Sequence, residues 1–235
     1  MSEQTIPHPK EFLGEERLAT IRGYRVHEQR TPGNPVRVVT PSQTIGPFFN
    51  LGLIREGDDD VACKVPGGPR AEGEPIVVTG RVTDENGRPV RKALIEVWQA
   101  NRFGKYDHPD DVTQAPIDPN LKGWARMLTD ADGRYRFRSI KPGGYPNPGY
   151  DNWMRPPHIH YSIFAAGLMQ RLITQLYFPG EPLNDIDPIL NGVEDLAARA
   201  SLVAKEGPAA ADGSRTFVFD IVLRGSGETP FMVER

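Results

Sequence analysis

Cysteine is almost missing from this chain of 235 residues: there is one, Cys63. Thiolate zinc sites need several cysteines, so that class of metal site is excluded, and one thiol cannot close an intrachain disulfide. Long apolar runs are also missing, since no stretch approaches the ~18 residues of a membrane-spanning helix. The N-terminus, MSEQTIPHPKEFLGEERLAT, is polar and acidic where a secretory signal needs a basic start and an apolar stretch of ~7–15 residues. These features predict a cytoplasmic protein. There is no long basic run and the formal net charge is −3. Neither nucleic acid nor an anionic membrane is therefore expected as a partner, and a small molecule is the default. Histidine is scarce too, with five in the chain, so any clustering of histidines is informative.

Short apolar runs separated by turn residues are plentiful. Gly 24 and Pro 23 make up about a fifth of the residues, below the ~25–30% of low-complexity chains, so loops carry much of the protein. From Pro75 onward, IVVTGRVTD and ALIEVWQA read as strands around the turn Asp84-Glu85-Asn86-Gly87, because Asn-Gly supplies the backbone angles of a tight turn. ARMLTDADGRYRFRSI repeats the pattern with Asp132-Gly133 at its bend, and there Tyr135 and Phe137 alternate with Arg134, Arg136 and Arg138. HIHYSIF, RLITQLYF and TFVFDIVL bring the count to at least six strands. The expected fold is mainly β, a β-sandwich with long loops and one or two short helices. One helix is predicted from about Asp195 to Lys205, with Leu196, Ala197, Ala200 and Val203 on its apolar stripe. Residues 1–40, broken by Pro7, Pro9, Pro32 and Pro35, read as an extended N-terminal arm. The expected division is an arm and ordered loop over 1–74 and a catalytic sandwich over 75–235.

Histidines cluster at one place, His158-Ile159-His160, at the start of the alternating segment HIHYSIF. On a strand, side chains two residues apart share a face ~6.6 Å from each other, so both imidazoles can turn onto one ion. Arg155-Pro156-Pro157 just before them makes a stiff entry. Such a pair is otherwise an ordinary couple of buried histidines. As ligands they need further donors. No Asp or Glu occurs from Tyr161 through Gly180, so nothing local supports the two-His, one-carboxylate arrangement, although an acid from elsewhere stays open. Two tyrosines stand out instead, in Gly104-Lys105-Tyr106 and in Gly143-Gly144-Tyr145-Pro146. Either could be a packing aromatic. As phenolates, two tyrosines with one hydroxide would cancel the charge of Fe(III), leaving two neutral imidazoles to complete the shell. The cation would lower the phenol pKa from its usual ~10.

At this point the chain resembles the intradiol aromatic-ring dioxygenases. The resemblance rests on Val78-Thr79-Gly80-Arg81-Val82, Gly87, Val90, Ile95-Glu96-Val97 and Gly104-Lys105-Tyr106. It continues through Arg126-Met127-Leu128-Thr129-Asp130, Ile140-Lys141-Pro142-Gly143, Trp153, Arg155-Pro156, His158-Ile159-His160, Gln170-Arg171-Leu172-Ile173 and Phe219-Asp220. It spans roughly residues 75–225. It implies that Tyr106, Tyr145, His158 and His160 hold a mononuclear non-haem Fe(III), and that Tyr145 leaves the metal when substrate binds. It further implies that Arg155 stabilises developing charge, that Gln175 and Ile189 line the pocket, and that Tyr24 helps seat a substrate carboxylate. The implied reaction cleaves a catechol between its hydroxylated carbons with O2. Protocatechuate, giving 3-carboxy-cis,cis-muconate, is the expected substrate, with catechol or hydroxyquinol as alternatives whose enzymes carry a longer helical N-terminal region. The implied assembly is an αβ hetero-oligomer with a homologous, iron-free α chain. Two places depart from the β-type pattern: Asn147 stands where relatives carry Trp, and residues 40–48 read more like the α chain or other intradiol enzymes. The reading from another class is a non-catalytic β-sandwich binding module, which shares the TDADGRYRF hairpin pattern.

Overall fold

Strand-forming alternation along the chain resolves, in a computed structural model, into two facing sheets. The structure describes residues 44, 46, 48–50, 52–111, 113–147 and 153–232. The arm over 1–40, Tyr24 with it, and most of the 40–48 loop lie outside the described residues.

The first sheet is built on β1 (Pro75–Thr83). One edge of β1 pairs antiparallel with β4 (Arg134–Ile140), and it also pairs, in parallel, with β10 (Arg215–Val218) and then β11 (Ile221–Val222). β9 (Lys205–Gly207) extends this sheet by pairing with β10. The second sheet has the order β3 (Trp124–Leu128), β2 (Leu94–Trp98), β7 (His158–Phe164), β8 (Leu172–Tyr177), antiparallel throughout. A small ribbon pairs β5 (Tyr145–Pro146) with β6 (Met154–Arg155).

Alternation decides which side chains meet between the sheets. Ile76, Val78 and Val82 of β1, Tyr135 and Phe137 of β4, and Phe217 of β10 face Ile95 and Val97 of β2, Ala125 and Met127 of β3, and Ile159, Tyr161 and Ile163 of β7. Aromatic rings bridge the layers: Tyr161 lies 5.1 Å from Phe219 and 6.3 Å from Phe137, and Phe178 meets Phe217 edge-on at 4.9 Å. The Tyr135 hydroxyl is satisfied inside this core by donating to the Phe219 carbonyl at 2.5 Å. Because odd positions of β7 fill the core, its even positions His158, His160 and Ser162 are turned to the outer face of the second sheet. That face carries the site.

The two turns form, with Gly87 N–H donating to Asp84 O and Gly133 N–H to Asp130 O, each at 3.1 Å. Yet each joins strands of different sheets, β1 to β2 and β3 to β4. A lone two-stranded hairpin leaves its apolar face wet, whereas crossing between layers lets both strands bury theirs in one core. Two helices occur among the described residues, α1 (Pro188–Asn191) and α2 (Leu196–Ser201), with a 3-10 turn at Pro182–Asp185. α2 is shorter than the predicted 195–205 helix. Asp195 caps it by accepting from Ala197 N and Ala198 N. Its C-terminal end is pulled onto β8, where Tyr177 N–H donates to Leu202 O at 2.8 Å and Ala204 N–H to Tyr177 O at 2.9 Å. Leu202 is thereby buried while Leu196, expected on the apolar stripe, is exposed.

Candidate active site

Cross-strand pairing assembles the base of the site. His160 lies opposite Trp98 on β2 and Gln175 on β8, and His158 lies opposite Tyr177. Directly paired residues share a face, so Trp98, His160, Gln175, His158 and Tyr177 form one continuous surface. Tyr177 stacks on His158 with ring centres 5.8 Å apart. The expected residues Tyr106, Tyr145, Arg155, His158, His160 and Gln175 all meet here.

The tyrosines arrive from two loops held against each other. Gly104 has φ +77°, and a side chain on it would run into the Gly144 carbonyl, while one on Gly143 would strike the Arg102 carbonyl. Gly143 N–H also donates to Asn101 O at 2.9 Å. Glycine is thus needed in both motifs because the backbones touch there. Asp111, which the sequence reading passed over, fixes the first loop. Its Oδ2 accepts from Tyr106 N–H at 2.7 Å and its Oδ1 from Thr113, while Lys105 Nζ donates to Asp111 O and Thr113 O at 2.7 and 2.8 Å. Tyr145, expected in a loop, lies on β5 opposite Arg155 of β6.

Four donors converge. His158 Nδ1 lies 2.7 Å from the Pro156 carbonyl, which can only accept, so Nδ1 carries the proton and Nε2 presents a lone pair. Nε2 is 3.0 Å from the Tyr145 hydroxyl and 3.2 Å from His160 Nε2. The Tyr106 ring stands 5.4 Å from that of Tyr145 and 6.4 Å from that of His160, and its buried hydroxyl, close to Tyr145, has no partner within hydrogen-bonding geometry among the described residues. Among the described residues no three His, Cys, Asp or Glu side chains come together. The alternative of a carboxylate ligand therefore finds no support there.

Electrostatics favour neutral imidazoles. Burial, reinforced by the Arg155 charge, pushes His160 down to about 3 and His158 well below its usual value. Burial first, and Tyr145 next, pushes the Tyr106 phenol well above its usual range, so without a nearby cation it stays protonated. The imidazoles take up protons in the unfolded chain before they do in the folded one. The contribution of His160 to stability is complete above 6.5 and is lost as pH falls from there towards about 3, by up to ~1.4 kcal/mol per pH unit, and that of His158 is lost in the same direction. Metal-free protein is expected to show this slope in its unfolding midpoint, and His160→Gln a shallower one. Equal slopes would mean that His160 is not held neutral.

Arg155 is buried behind these side chains. Its Nη2 donates to Gln175 Oε1 at 2.7 Å, Tyr177 OH at 2.9 Å and Asp187 Oδ2 at 3.1 Å. The Gln175 amide nitrogen lies 3.3 Å from His160 Nδ1. Ile189, on α1, reaches this group through its N–H, which donates to Asp187 Oδ1. A cavity of ≈ 290 Å³ opens beside Tyr106, Tyr145 and His160, walled also by Trp98, His108 and Asn147, and neither Gln175 nor Ile189 lines it. Sequence reasoning missed Asp187 and Tyr177. Asp187-Pro188 reads as a helix start, and nothing local marks Asp187 as the partner of an arginine.

Relatives of known activity share this sequence and architecture. A family profile described as Dioxygenase matches residues 45–225. The chain is 51% identical over 211 residues to the protocatechuate 3,4-dioxygenase beta chain of Burkholderia cepacia, covering 88% of this chain and 89% of that one. It is 36% identical to the protocatechuate 3,4-dioxygenase alpha chain of Pseudomonas putida, covering 82% and 94%. Among solved structures, hydroxyquinol 1,2-dioxygenase from Pseudomonas putida DLL-E4 superposes with a TM-score of 0.54 at 26% identity, over 91% of this chain and 73% of that one. With the profile covering most of the chain and half the residues of one relative conserved, this protein belongs to the intradiol ring-cleavage dioxygenases.

Proposed function

We propose that this chain is the metal-bearing β chain of a protocatechuate 3,4-dioxygenase, cleaving protocatechuate between its two hydroxylated carbons with O2 to give 3-carboxy-cis,cis-muconate. The observation that carries the reading is the convergence of Tyr106, Tyr145, His158 and His160 on one point of the outer sheet face. Donors ~2.1 Å from one ion can stand no more than ~4 Å apart, and the Tyr145 hydroxyl and His160 Nε2 lie 3.0 and 3.2 Å from His158 Nε2. The unpartnered Tyr106 hydroxyl fits as the fourth ligand. Two phenols and two neutral imidazoles suit a hard, highly charged ion, and Fe(III) is the cofactor this set would hold. Bound there, the ion would draw electron density from a catecholate and open it to O2.

The protein's own groups do the rest. Tyr145 sits at the cavity on a two-residue strand, where its side-chain oxygen would help hold the ion and could accept a proton from a substrate hydroxyl. Arg155 keeps a positive charge in a water-poor site: burial opposes that charge, but the Tyr177 and Asp187 oxygens outweigh it and hold its pKa above the ordinary value. It can therefore stabilise negative charge developing on the ring. Gln175 links Arg155 to His160, and Ile189 is tied to the same group. Tyr24 is retained as a contact for the substrate carboxylate by resemblance alone.

A homologous α chain is the proposed partner in an αβ hetero-oligomer, supported by similarity to both α and β chains. The cross-strand neighbours Trp98 and Trp124 leave 46% and 40% of their surface exposed beside the site, an apolar face suited to such a contact. No helix among the described residues is long and apolar enough to cross a membrane. The single cysteine, Cys63, supports a cytoplasmic location.

The test is anaerobic titration of the co-purified α and β chains with protocatechuate, catechol and hydroxyquinol, then O2 and product identification. One iron per β chain, a visible phenolate-to-iron band and 3-carboxy-cis,cis-muconate are expected. Preference for catechol would overturn the substrate, and an extradiol product the chemistry.

A further inference from the structure

Asp187 is wholly buried and Arg155 is 4% exposed, and the two form an ion pair at 3.1 Å. Withdrawing two charges from water costs several kcal/mol per ion, and apolar groups of similar size often fill such a place at no loss of stability. A pair of this kind therefore calls for a reason other than packing. Arg155 Nη2 has three acceptors, of which Gln175 and Tyr177 are neutral and Asp187 alone can be charged. Asp187 is itself fixed to α1. Its Oδ1 accepts from Ile189 N–H at 3.3 Å, and its carbonyl accepts from Asn191 N–H and Asn191 Nδ2, both at 2.9 Å. Asn191 is held in turn by Arg199 Nη1 at 2.9 Å. The guanidinium is thus anchored at one corner to a braced carboxylate, while its buried Nε has no partner.

We propose that Asp187 is the positioning residue for Arg155: its buried carboxylate, braced by α1, fixes one end of the guanidinium and so the place of its positive charge behind a substrate bound beside Tyr145 and His160. The pair also keeps the arginine from adding an uncompensated charge next to the metal ligands. Asp187 does not line the cavity, and its carboxylate meets Arg155 and the Ile189 N–H, so its influence passes through Arg155 to Gln175 and Tyr177. This inference rests on the reading of Arg155 given above.

The experiment compares Asp187→Asn, Arg155→Gln and the double variant in the αβ complex. Asparagine keeps the cap and the shape and removes the charge. Expected for Asp187→Asn are wild-type iron content, an unchanged resting visible band, kcat lowered ~10–100-fold, and KM within about threefold of the parent. The double variant is expected to be no slower than Arg155→Gln alone, because residues acting through one another are not additive. A crystal structure of Asp187→Asn is expected to show the guanidinium displaced from Gln175. An unchanged kcat, losses that multiply in the double variant, or a guanidinium that stays in place would each overturn the proposal. If Asp187→Asn fails to fold, the double variant, which buries no charge, still decides by comparison with Arg155→Gln. Turnover by the parent tests the functional reading, whereas the guanidinium position is read without turnover.

Discussion

Replacing His160 with alanine is expected to empty the metal site and lower ring cleavage by at least ~10³-fold while leaving the sandwich folded. A metal acting as Lewis acid supplies several kcal/mol of transition-state stabilisation, and each ~1.4 kcal/mol lost is tenfold in rate. The side chain lies on the outer sheet face, against the Trp98 ring at 5.8 Å and Gln175, whereas its neighbours Ile159 and Tyr161 point into the core. Its loss therefore removes a donor without opening the centre of the molecule. Iron per chain should fall from one toward zero, and the visible band should disappear with it. His108→Ala is the matched control, because His108 is exposed at the cavity rim, where among the described residues it makes a ring contact with Trp98, at 6.2 Å, and a local contact to Asp110. A His160→Ala protein that keeps its iron and its colour would remove His160 from the ligand set, and with it the proposed centre.

Phe137→Ala is expected to have the largest effect on stability. Phe137 is fully buried on β4, paired across β1 with Val78, and its ring lies 6.3 Å from that of Tyr161 on the opposite sheet. Emptying such a site costs ~3–5 kcal/mol through lost transfer energy and an uncollapsed cavity. That is a large share of the ~5–15 kcal/mol that holds a domain together. In a domain of this size it lowers the unfolding midpoint by about 10 °C. Thermal unfolding of the assembled complex checks it. Below the transition the metal site should remain intact, because Tyr161 and His160 occupy opposite faces of β7. A midpoint unchanged within about 2 °C would mean that the inter-sheet layer is not where the stability resides.

How much was legible follows from which interactions are local. HIHYSIF became β7 from His158 to Phe164 as the alternation predicts, since a period of two over seven residues states both the element and its buried face. The turns at Gly87 and Gly133 were legible for the same reason. Strand partnership was not: nothing within 84–87 says that β1 and β2 separate into different sheets, because that is settled by the shared core. The end of α2 was equally invisible, set by hydrogen bonds between Leu202, Ala204 and Tyr177 on β8. Within the site, the histidine pair could be read from spacing. Tyr106 and Tyr145 entered through charge balance and family resemblance, since they are far from it in sequence and no periodicity links them.

Taken alone, the sequence determined the mainly β class and the one face shared by His158 and His160. Each of these depends on residue type or on spacing along a single strand. Tertiary structure decided what those groups meet. Contact between the loops at Gly104 and Gly143 holds the Tyr106 and Tyr145 loops against each other. β8 sets Gln175 and Tyr177 beside the histidines, and α1 brings Asp187 to Arg155 across 32 positions of chain. Such encounters form only when the apolar faces of both sheets close on one another, because the free energy that brings distant residues together is that of the common core.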